Sequence, residues 1–152
     1  MKKYVIFLTI IIVSFFLLYS SSNLSTNAHE KERMTYKIGV LTFIEGRLDK
    51  VDGMREGLKR YGIYEDDVEI IIKNADENLD ELNRMAKELV DENVDVIVTL
   101  GIDETAAAQK ATAKSKTPVA FIGVACTVAL GFVEDRISPG CNITGVDSYY
   151  VQ

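Results

Sequence analysis

The sequence is poor in the residues that most enzymes use for catalysis. It has one histidine and two cysteines among 152 residues. The histidine, His29, lies in a short charged segment before the first predicted strand, so neither a Ser/His nor a Cys/His dyad can form in the domain that follows. No Gly-x-Gly-x-x-Gly motif follows that strand and no phosphate-binding loop is present, which argues against nucleotide-dependent enzymes. We therefore expect a protein that is not an enzyme and that holds neither cofactor nor metal.

The amino terminus has the pattern of an export segment. Lys2 and Lys3 precede an almost unbroken apolar run over residues 4–19, and a stretch rich in Ser, Thr and Asn ends at Ala28. The run is shorter than the roughly 20 residues of a spanning helix but longer than a minimal signal core, so residues 1–28 are either a signal peptide or a membrane anchor. Cys126 is the first cysteine, which excludes a lipid-modified cysteine after the run. Both alternatives place the folded part outside the cytoplasm, either soluble or anchored to the membrane by this segment alone.

Little positive charge remains once this segment is set aside. Removing residues 1–28 takes away Lys2 and Lys3 of the 17 basic residues and none of the 23 acidic ones, which leaves a net charge of −8. An acidic exported domain argues against nucleic acid and against an anionic membrane surface as partners. After a linker at residues 29–35, the rest of the chain is long enough for one domain with one core, but not for two.

Apolar runs rich in Ile and Val recur along this domain and predict buried parallel strands, because both faces of each run are apolar. They cover residues 36–42, 68–73, 94–100, 118–124 and 142–146. Amphipathic segments separate them. Alternating strands and helices with right-handed crossovers predict a doubly wound α/β domain with a five-stranded parallel sheet and strand order 2-1-3-4-5.

The segments between the strands have helical spacing. One face of each of the first two segments is apolar, formed by Val51, Met54, Leu58 and Tyr61 in the first and by Leu79, Leu82, Met85, Ala86, Leu89 and Val90 in the second. Asn78, with Glu81 three residues later, is typical of a capping box, and Gly62 suits the end of the first helix. A third helix is predicted over residues 105–114.

The predicted topology selects the candidate ligand-binding residues. In an open parallel sheet, ligands bind outside the carboxyl ends of the strands, near the point where the strand order reverses. The residues that follow the first, third and fourth strands are therefore candidates. They are Thr42, Phe43 and Glu45; Gly101, Asp103, Glu104 and Thr105; and Ala125, Cys126 and Thr127.

The two cysteines are predicted to be free thiols. Cys126 lies at the carboxyl end of the fourth strand and Cys141 lies just before the amino end of the neighbouring fifth strand. Opposite ends of a strand of about six residues are on the order of 20 Å apart, whereas a disulfide needs Cα atoms within about 7 Å. We interpret Cys126 as a packing residue.

Four segments resemble one family of bacterial proteins. Residues 118–133 read Pro-Val-Ala-Phe-Ile-Gly-Val-Ala-Cys-Thr-Val-Ala-Leu-Gly-Phe-Val, and residues 138–146 read Ser-Pro-Gly-Cys-Asn-Ile-Thr-Gly-Val. Residues 55–58 read Arg-Glu-Gly-Leu, and residues 105–109 read Thr-Ala-Ala-Ala-Gln. Over about residues 36–147 the chain resembles the substrate-binding proteins of ABC transporters.

This resemblance implies a Rossmann-like lobe of the type I periplasmic-binding-protein fold, which binds a small, amino-acid-like solute and delivers it to ABC permease subunits. In the family, a segment like residues 105–109 opens a helix beneath the ligand, where free amide groups can hold a carboxylate. Asp103 and Glu104 add negative charge beside these amides. Cys126 and Thr127 stand where the family usually has Asp-Pro, and Phe43 is a candidate to stack on a ligand ring.

The resemblance also implies a domain organisation. Residues 36–147 would be the N-terminal lobe of a two-lobed receptor and residues 148–152 the start of its hinge, so we expect a truncated or split receptor. The alternative is the extracellular ligand-sensing domain of a membrane-bound signalling protein. An uncleaved apolar helix at residues 4–19 would anchor such a domain.

Overall fold

Five parallel strands form one sheet in the computed structural model, which describes residues 35–148. The strands are β1 (Tyr36–Thr42), β2 (Val68–Asn74), β3 (Val96–Thr99), β4 (Val119–Val124) and β5 (Ile143–Asp147), in the order β2-β1-β3-β4-β5. The predicted α/β class, parallel direction and strand order are confirmed. The predicted export segment at residues 1–28, nearly all of the linker and residues 149–152 lie outside the described residues.

Helices connect the first four strands. A short 3-10 helix (Glu45–Arg47) leads into α1 (Asp49–Arg60), α2 (Leu79–Asp91) follows β2, and α3 (Ile102–Thr112) follows β3. Within residues 35–148, no helix combines the length and the apolar character that crossing a membrane would require.

Apolar side chains cover both faces of the sheet. On one face, Leu82 and Leu89 of α2 and Ala108 of α3 pack with Leu41 and Ile97 of the sheet. On the other face, a smaller cluster joins α1 to the sheet through Val51, Val40, Val98, Ile38 and Leu100. The alternation along β1 and β3 explains why these strands read as continuous apolar runs, since each face packs against a different helical layer.

Two residues differ from the predicted helix faces. Tyr61 is 88% exposed because α1 ends at Arg60, so Tyr61 lies at the cap rather than on the buried stripe. Leu79, the first residue of α2, is 56% exposed. Both residues lie at a helix end, where the stripe that faces the sheet no longer has sheet beneath it.

The start of α2 confirms the predicted cap. The Asn78 side chain accepts hydrogen bonds from the amides of Asp80 and Glu81, at 3.0 and 3.1 Å. The reciprocal half of a capping box is not formed, because the Asn78 amide donates to the carbonyl of Ala75 and the Glu81 carboxylate pairs with Arg84.

The third helix begins earlier than predicted, at Ile102 rather than at Thr105. α3 starts at Ile102, with Gly101 as its N-cap, so Asp103 and Glu104 lie in its first turn. Carboxylates in the first turn of a helix are stabilised by the helix dipole, which is the physical reason for the earlier start. Thr105 therefore lies inside the helix, and its hydroxyl donates to the Gly101 carbonyl at 2.7 Å.

Candidate functional site

The carboxyl ends of β1, β3 and β4 lie side by side at one edge of the sheet. Leu41 of β1 is opposite Thr99 of β3, and Thr99 is opposite Phe121 of β4. The loops that leave these three strands therefore form one rim. All three groups of predicted ligand-binding residues lie on it.

Glu104 is the most constrained residue of this rim. Its side chain is 0% exposed, and its Oε1 accepts a hydrogen bond from the Phe43 amide at 2.8 Å and one from Arg47 Nη1 at 2.6 Å. Oε2 is also buried and has no hydrogen-bond partner among the described residues. Of the two acidic residues predicted beside the helix amides, Glu104 turns inward and pairs with Arg47.

The Arg47–Glu104 pair lies directly over Gly101. A Cβ atom built on Gly101 would collide with the Arg47 guanidinium and lie 2.6 Å from Glu104 Oε2. The backbone of Gly101 is extended, at φ −174°, which any residue can adopt. Glycine is therefore needed here for space and not for its backbone conformation. The missing side chain leaves room for the ion pair at the end of β3.

A second basic residue, Lys50, lies on the same rim. Its Nζ donates a hydrogen bond to the carbonyl of Leu100 at 2.8 Å. A Cβ atom on Gly123 would lie 3.4 Å from the same nitrogen, so Lys50 lies between the ends of β3 and β4. The sequence analysis missed both Arg47 and Lys50. Their positions in the sequence could have indicated them, because both follow β1 closely, Arg47 in the loop and Lys50 in the first turn of α1. Long basic side chains at such positions can reach the edge of the sheet.

Two of the predicted ligand-binding residues, Thr42 and Thr105, are buried and bonded internally, as is the neighbouring Thr99. Thr42, Thr99 and Thr105 are each 0% exposed. Thr42 donates to the carbonyl of Ile44 at 2.8 Å, and the hydroxyls of Thr99 and Thr105 share a hydrogen bond at 2.8 Å. These hydroxyls fix the shape of the loops that carry the rim. Phe43 is half-buried and packs against the main core.

Of the predicted ligand-binding residues on this rim, Glu45, Asp103 and Cys126 are exposed. The interpretation of Cys126 as a packing residue is wrong, because its side chain is exposed. Its φ of 57° places the backbone in the left-handed region and turns the chain sharply at the end of β4. Cys141 is also exposed and both thiols are free, which confirms the predicted absence of a disulfide.

The amino end of α3 supplies unpaired backbone donors to this rim. The first amides of a helix have no partner within it and carry partial positive charge. The sequence predicted that these amides follow Thr105. Because α3 begins at Ile102, they lie instead in the turn before Thr105. The rim thus combines a helix amino terminus with two basic side chains.

A cavity of about 460 Å³ lies beside β5, next to this rim. Thr127 lines it together with Phe121, Arg136 and Asp147, and it is the only predicted ligand-binding residue there. The Thr127 hydroxyl donates to Asp147 Oδ2 at 3.1 Å, and Arg136 Nε lies 3.7 Å from the same oxygen. Within residues 35–148, no three His, Cys, Asp or Glu side chains cluster closely enough to hold a metal ion.

Comparison with known proteins identifies the family. Residues 37–151 match the family model described as ABC transporter substrate binding protein. Two solved structures are each 30% identical to this chain: a conserved domain protein from Vibrio cholerae, with a TM-score of 0.68, and an ABC domain in complex with L-Trp from Streptococcus pneumoniae, with a TM-score of 0.69. Each alignment covers 74% of this chain and 38% of the solved chain.

A third solved structure supports the fold. It is the ligand-free, open form of a substrate binding protein with adhesive properties from Clostridium difficile, with 24% identity and a TM-score of 0.70. The alignment covers 76% of this chain and 40% of that one. No curated protein matches this chain. With the family model matching most of its length, the chain belongs to the ABC transporter substrate-binding protein family.

Proposed function

We propose that this protein is the extracytoplasmic solute-binding component of an ABC importer. It binds a small, amino-acid-like solute at the carboxyl ends of β1, β3 and β4. The observation that carries the proposal is the likeness to the Streptococcus pneumoniae domain described in complex with L-Trp, at 30% identity over 74% of this chain. The arrangement of the rim supports it, because the end of an open parallel sheet is the usual ligand site of such folds.

In this proposal residues 36–147 act as one lobe of a two-lobed receptor. This chain aligns with 38% of the length of each of the two solved relatives that are 30% identical to it. The rest of each relative is long enough for a second lobe of comparable size. One lobe contacts one side of a solute, whereas tight sites bury most of the ligand surface. We therefore expect weak binding by this lobe alone and tight binding only when a second lobe closes over it.

The partners in this proposal are the solute and the permease subunits of the importer. Residues 1–28 would export the protein or anchor it in the membrane. Catalysis has no part in the function, and the rim offers what reversible binding needs: fixed backbone donors, charged side chains and buried hydroxyls that hold the loops in one shape.

The test is a titration of the full chain with the common L-amino acids, beginning with L-tryptophan, monitored through the backbone amide signals by NMR. This measurement detects the weak binding expected of one lobe. Shifts should concentrate at the residues that follow β1, β3 and β4. A panel in which no compound moves these signals would contradict the proposal, as would shifts confined to the amino ends of the strands.

The two exposed cysteines provide a matched control. A bulky maleimide on Cys126, in a Cys141→Ser background, would place the label on the rim. The same label on Cys141, in a Cys126→Ser background, would lie before the amino end of β5. Labelling at Cys126 should abolish the shifts and labelling at Cys141 should leave them unchanged. Equal effects of the two labels would place the solute elsewhere.

A further inference from the structure

The charged side chains of the rim have a small excess of negative charge. Two are basic, Arg47 and Lys50, and three are acidic, Glu45, Asp103 and Glu104, so their net charge is −1. Glu45 and Asp103 are exposed and form none of the ion pairs found within residues 35–148. Carboxylates gathered at one edge attract cations from solution.

One buried oxygen among these carboxylates has no donor. The side chain of Glu104 is 0% exposed, and its Oε1 accepts hydrogen bonds from the Phe43 amide and from Arg47 Nη1. Its Oε2 is buried as well and has no hydrogen-bond partner among the described residues. A buried acceptor without a donor is unfavourable, because it has lost its bonds to water and gained none in return. A donor that reached Oε2 would therefore be bound favourably.

This oxygen faces the space over Gly101. A Cβ atom on Gly101 would lie 2.6 Å from Oε2 and would collide with the Arg47 guanidinium, so the guanidinium fills the space that the missing side chain leaves. The Arg47 side chain is 30% exposed, which means that this space reaches the surface of the rim. Gly101 thus leaves a slot that leads to a buried carboxylate, and a cation occupies the slot.

Arg47 lies in a segment that can move without disturbing the core. It ends the 3-10 helix Glu45–Arg47, in which no residue is buried. Its guanidinium makes one hydrogen bond with the Glu104 carboxylate, although such a group can donate two parallel bonds to the two oxygens. A cation that donated to both oxygens would satisfy this carboxylate better than Arg47 does.

We infer that the slot over Gly101 binds a positively charged group of the solute, a protonated amine or a guanidinium, and that Arg47 occupies it in the ligand-free lobe. The incoming group donates to both oxygens of Glu104 while Arg47 swings toward solvent, and Glu45 and Asp103 attract the cation to the rim. This inference rests on the proposed function, because it names the chemical class of the solute as one that carries a positive charge.

The test uses methylguanidinium and its neutral isostere N-methylurea, so that it does not depend on which solute the protein binds. The full chain is titrated with each at constant ionic strength. NMR follows the Phe43 amide, which donates to Glu104, and the Nε–H signal of Arg47. Methylguanidinium should shift both signals saturably and N-methylurea should not. Arg55, which belongs to an exposed ion pair of α1, is the internal control.

Three results would overturn the inference. They are equal responses to the two probes, the lack of a saturable response to methylguanidinium, and equal responses at Arg47 and Arg55. This titration uses the wild-type chain and therefore decides the matter even if a variant fails to fold.

Variants of two carboxylates test the role of Glu104. Glu104→Gln should weaken methylguanidinium binding by about tenfold or more, because the charge that the cation pairs with is lost. Glu88→Gln removes a carboxylate that is paired with Lys73 and Arg84, away from the rim, and should leave the binding unchanged. Equal losses in the two variants would show that the cation responds only to the overall charge.

Arg47→Ala gives a prediction of the opposite sign. The variant empties the slot, so methylguanidinium should bind about tenfold more tightly than it binds to the wild type. Lys50→Ala removes the same charge from the rim but leaves Arg47 in the slot, and it should strengthen binding less. Unchanged or weaker binding by a folded Arg47→Ala would contradict the assignment of Arg47 as the occupant.

L-Arginine and L-citrulline distinguish the two sources of the positive charge. They share the α-ammonium and the carboxylate, but citrulline has a neutral ureido group where arginine has a guanidinium. Tighter binding of arginine assigns the slot to a side-chain cation. Equal binding that is lost on N-acetylation assigns it to the α-ammonium, and equal binding that survives N-acetylation would overturn the inference.

Failure of this inference and failure of the proposed function give different results. If methylguanidinium does not bind while amino acids still shift the rim signals, the cation slot is wrong and the proposed function stands. If methylguanidinium binds and no amino acid shifts the rim signals, the slot stands and the amino-acid-like class of the solute is wrong.

Discussion

Arg47 donates a hydrogen bond to a carboxylate, that of Glu104, whose side chain is completely buried, although the two residues are far apart in the sequence. An ion pair of this kind is asymmetric, since Arg47 keeps contact with water and Glu104 does not. Removing the arginine would leave an uncompensated buried charge.

We therefore expect Arg47→Met to lower the free energy of unfolding by about 2 kcal/mol, less than a fully buried pair would lose because Arg47 is partly exposed. The double variant Arg47→Met with Glu104→Gln should recover part of this loss, because it no longer buries a charge. Urea denaturation of the wild type, both single variants and the double variant measures the coupling. Arg55→Met, on an exposed pair, is the control. An equal loss in Arg47→Met and Arg55→Met would contradict the importance of the buried pair.

Gly101→Ala tests whether the space over Gly101 is required. The added methyl group would overlap Arg47 and approach Glu104 Oε2, so we expect a loss of about 1–3 kcal/mol, the range typical of overpacking. Gly57→Ala is the matched control, because nothing lies within 4 Å of a Cβ atom there and alanine favours a helix over glycine. Gly57→Ala should raise the midpoint of thermal unfolding, and Gly101→Ala should lower it. A neutral Gly101→Ala would show that the ion pair can move aside freely.

Asn78→Ala tests the cap of α2. The variant leaves the amides of Asp80 and Glu81 without their acceptor, so we expect a loss of about 1 kcal/mol in urea denaturation. Asn83→Ala removes the same amide group from the interior of the same helix, where alanine is the better helix former, and should change stability by less than about 0.5 kcal/mol. A larger loss in Asn83→Ala than in Asn78→Ala would contradict the capping role.

The pH dependence of stability should reflect Lys73 of β2. The hydrogen bond that Lys73 Nζ donates to the Glu92 carboxylate is the main cause that raises the pKa of Lys73 above its ordinary 10.5, and the Glu88 carboxylate adds to it. A raised lysine pKa stabilises the fold fully below the unfolded-state value, and this contribution is lost as the pH rises through the folded-state value.

The difference in stability between wild type and Lys73→Gln should therefore be constant from neutral pH to about pH 10 and should shrink above about pH 10.5. Urea denaturation at a series of pH values measures this difference, which cancels the titration of groups common to both proteins. Lys87→Gln, an exposed position of α2, controls for the loss of one lysine charge. A difference that grows above pH 10.5 would refute the assignment.

The sheet was predictable because its information is local. Each strand is an apolar run bounded by polar residues, and the alternation of runs with helical stripes limits the topology to few choices. The register of β1 with β3 then follows, and it brings Phe43 and Glu104 to one edge. Charged residues follow no such pattern. Whether Glu104 is exposed depends on Arg47, which lies in a different loop and becomes its neighbour only through the pairing of two strands.

The boundaries of α3 were mispredicted for a related reason. Threonine is a residue type that is common at helix caps. The hydroxyl of Thr105, however, bonds to the Gly101 carbonyl and to the Thr99 hydroxyl, and both come within reach only in the folded structure. A threonine hydroxyl can form local hydrogen bonds both at a helix cap and inside a helix. The sequence alone therefore does not decide whether Thr105 starts the helix or lies within it.

The irregular pairing of β4 with β5 affects more than the shape of the rim. The register shifts between Ile122 and Val124, and Gly145, which pairs with Phe121 just before this shift, has a φ of 158° and no room for a side chain beside the Phe121 carbonyl. An outer strand that is kinked in this way presents a poor template for a strand from another molecule. The irregularity therefore makes the β5 edge of the sheet less prone to edge-to-edge pairing at high concentration.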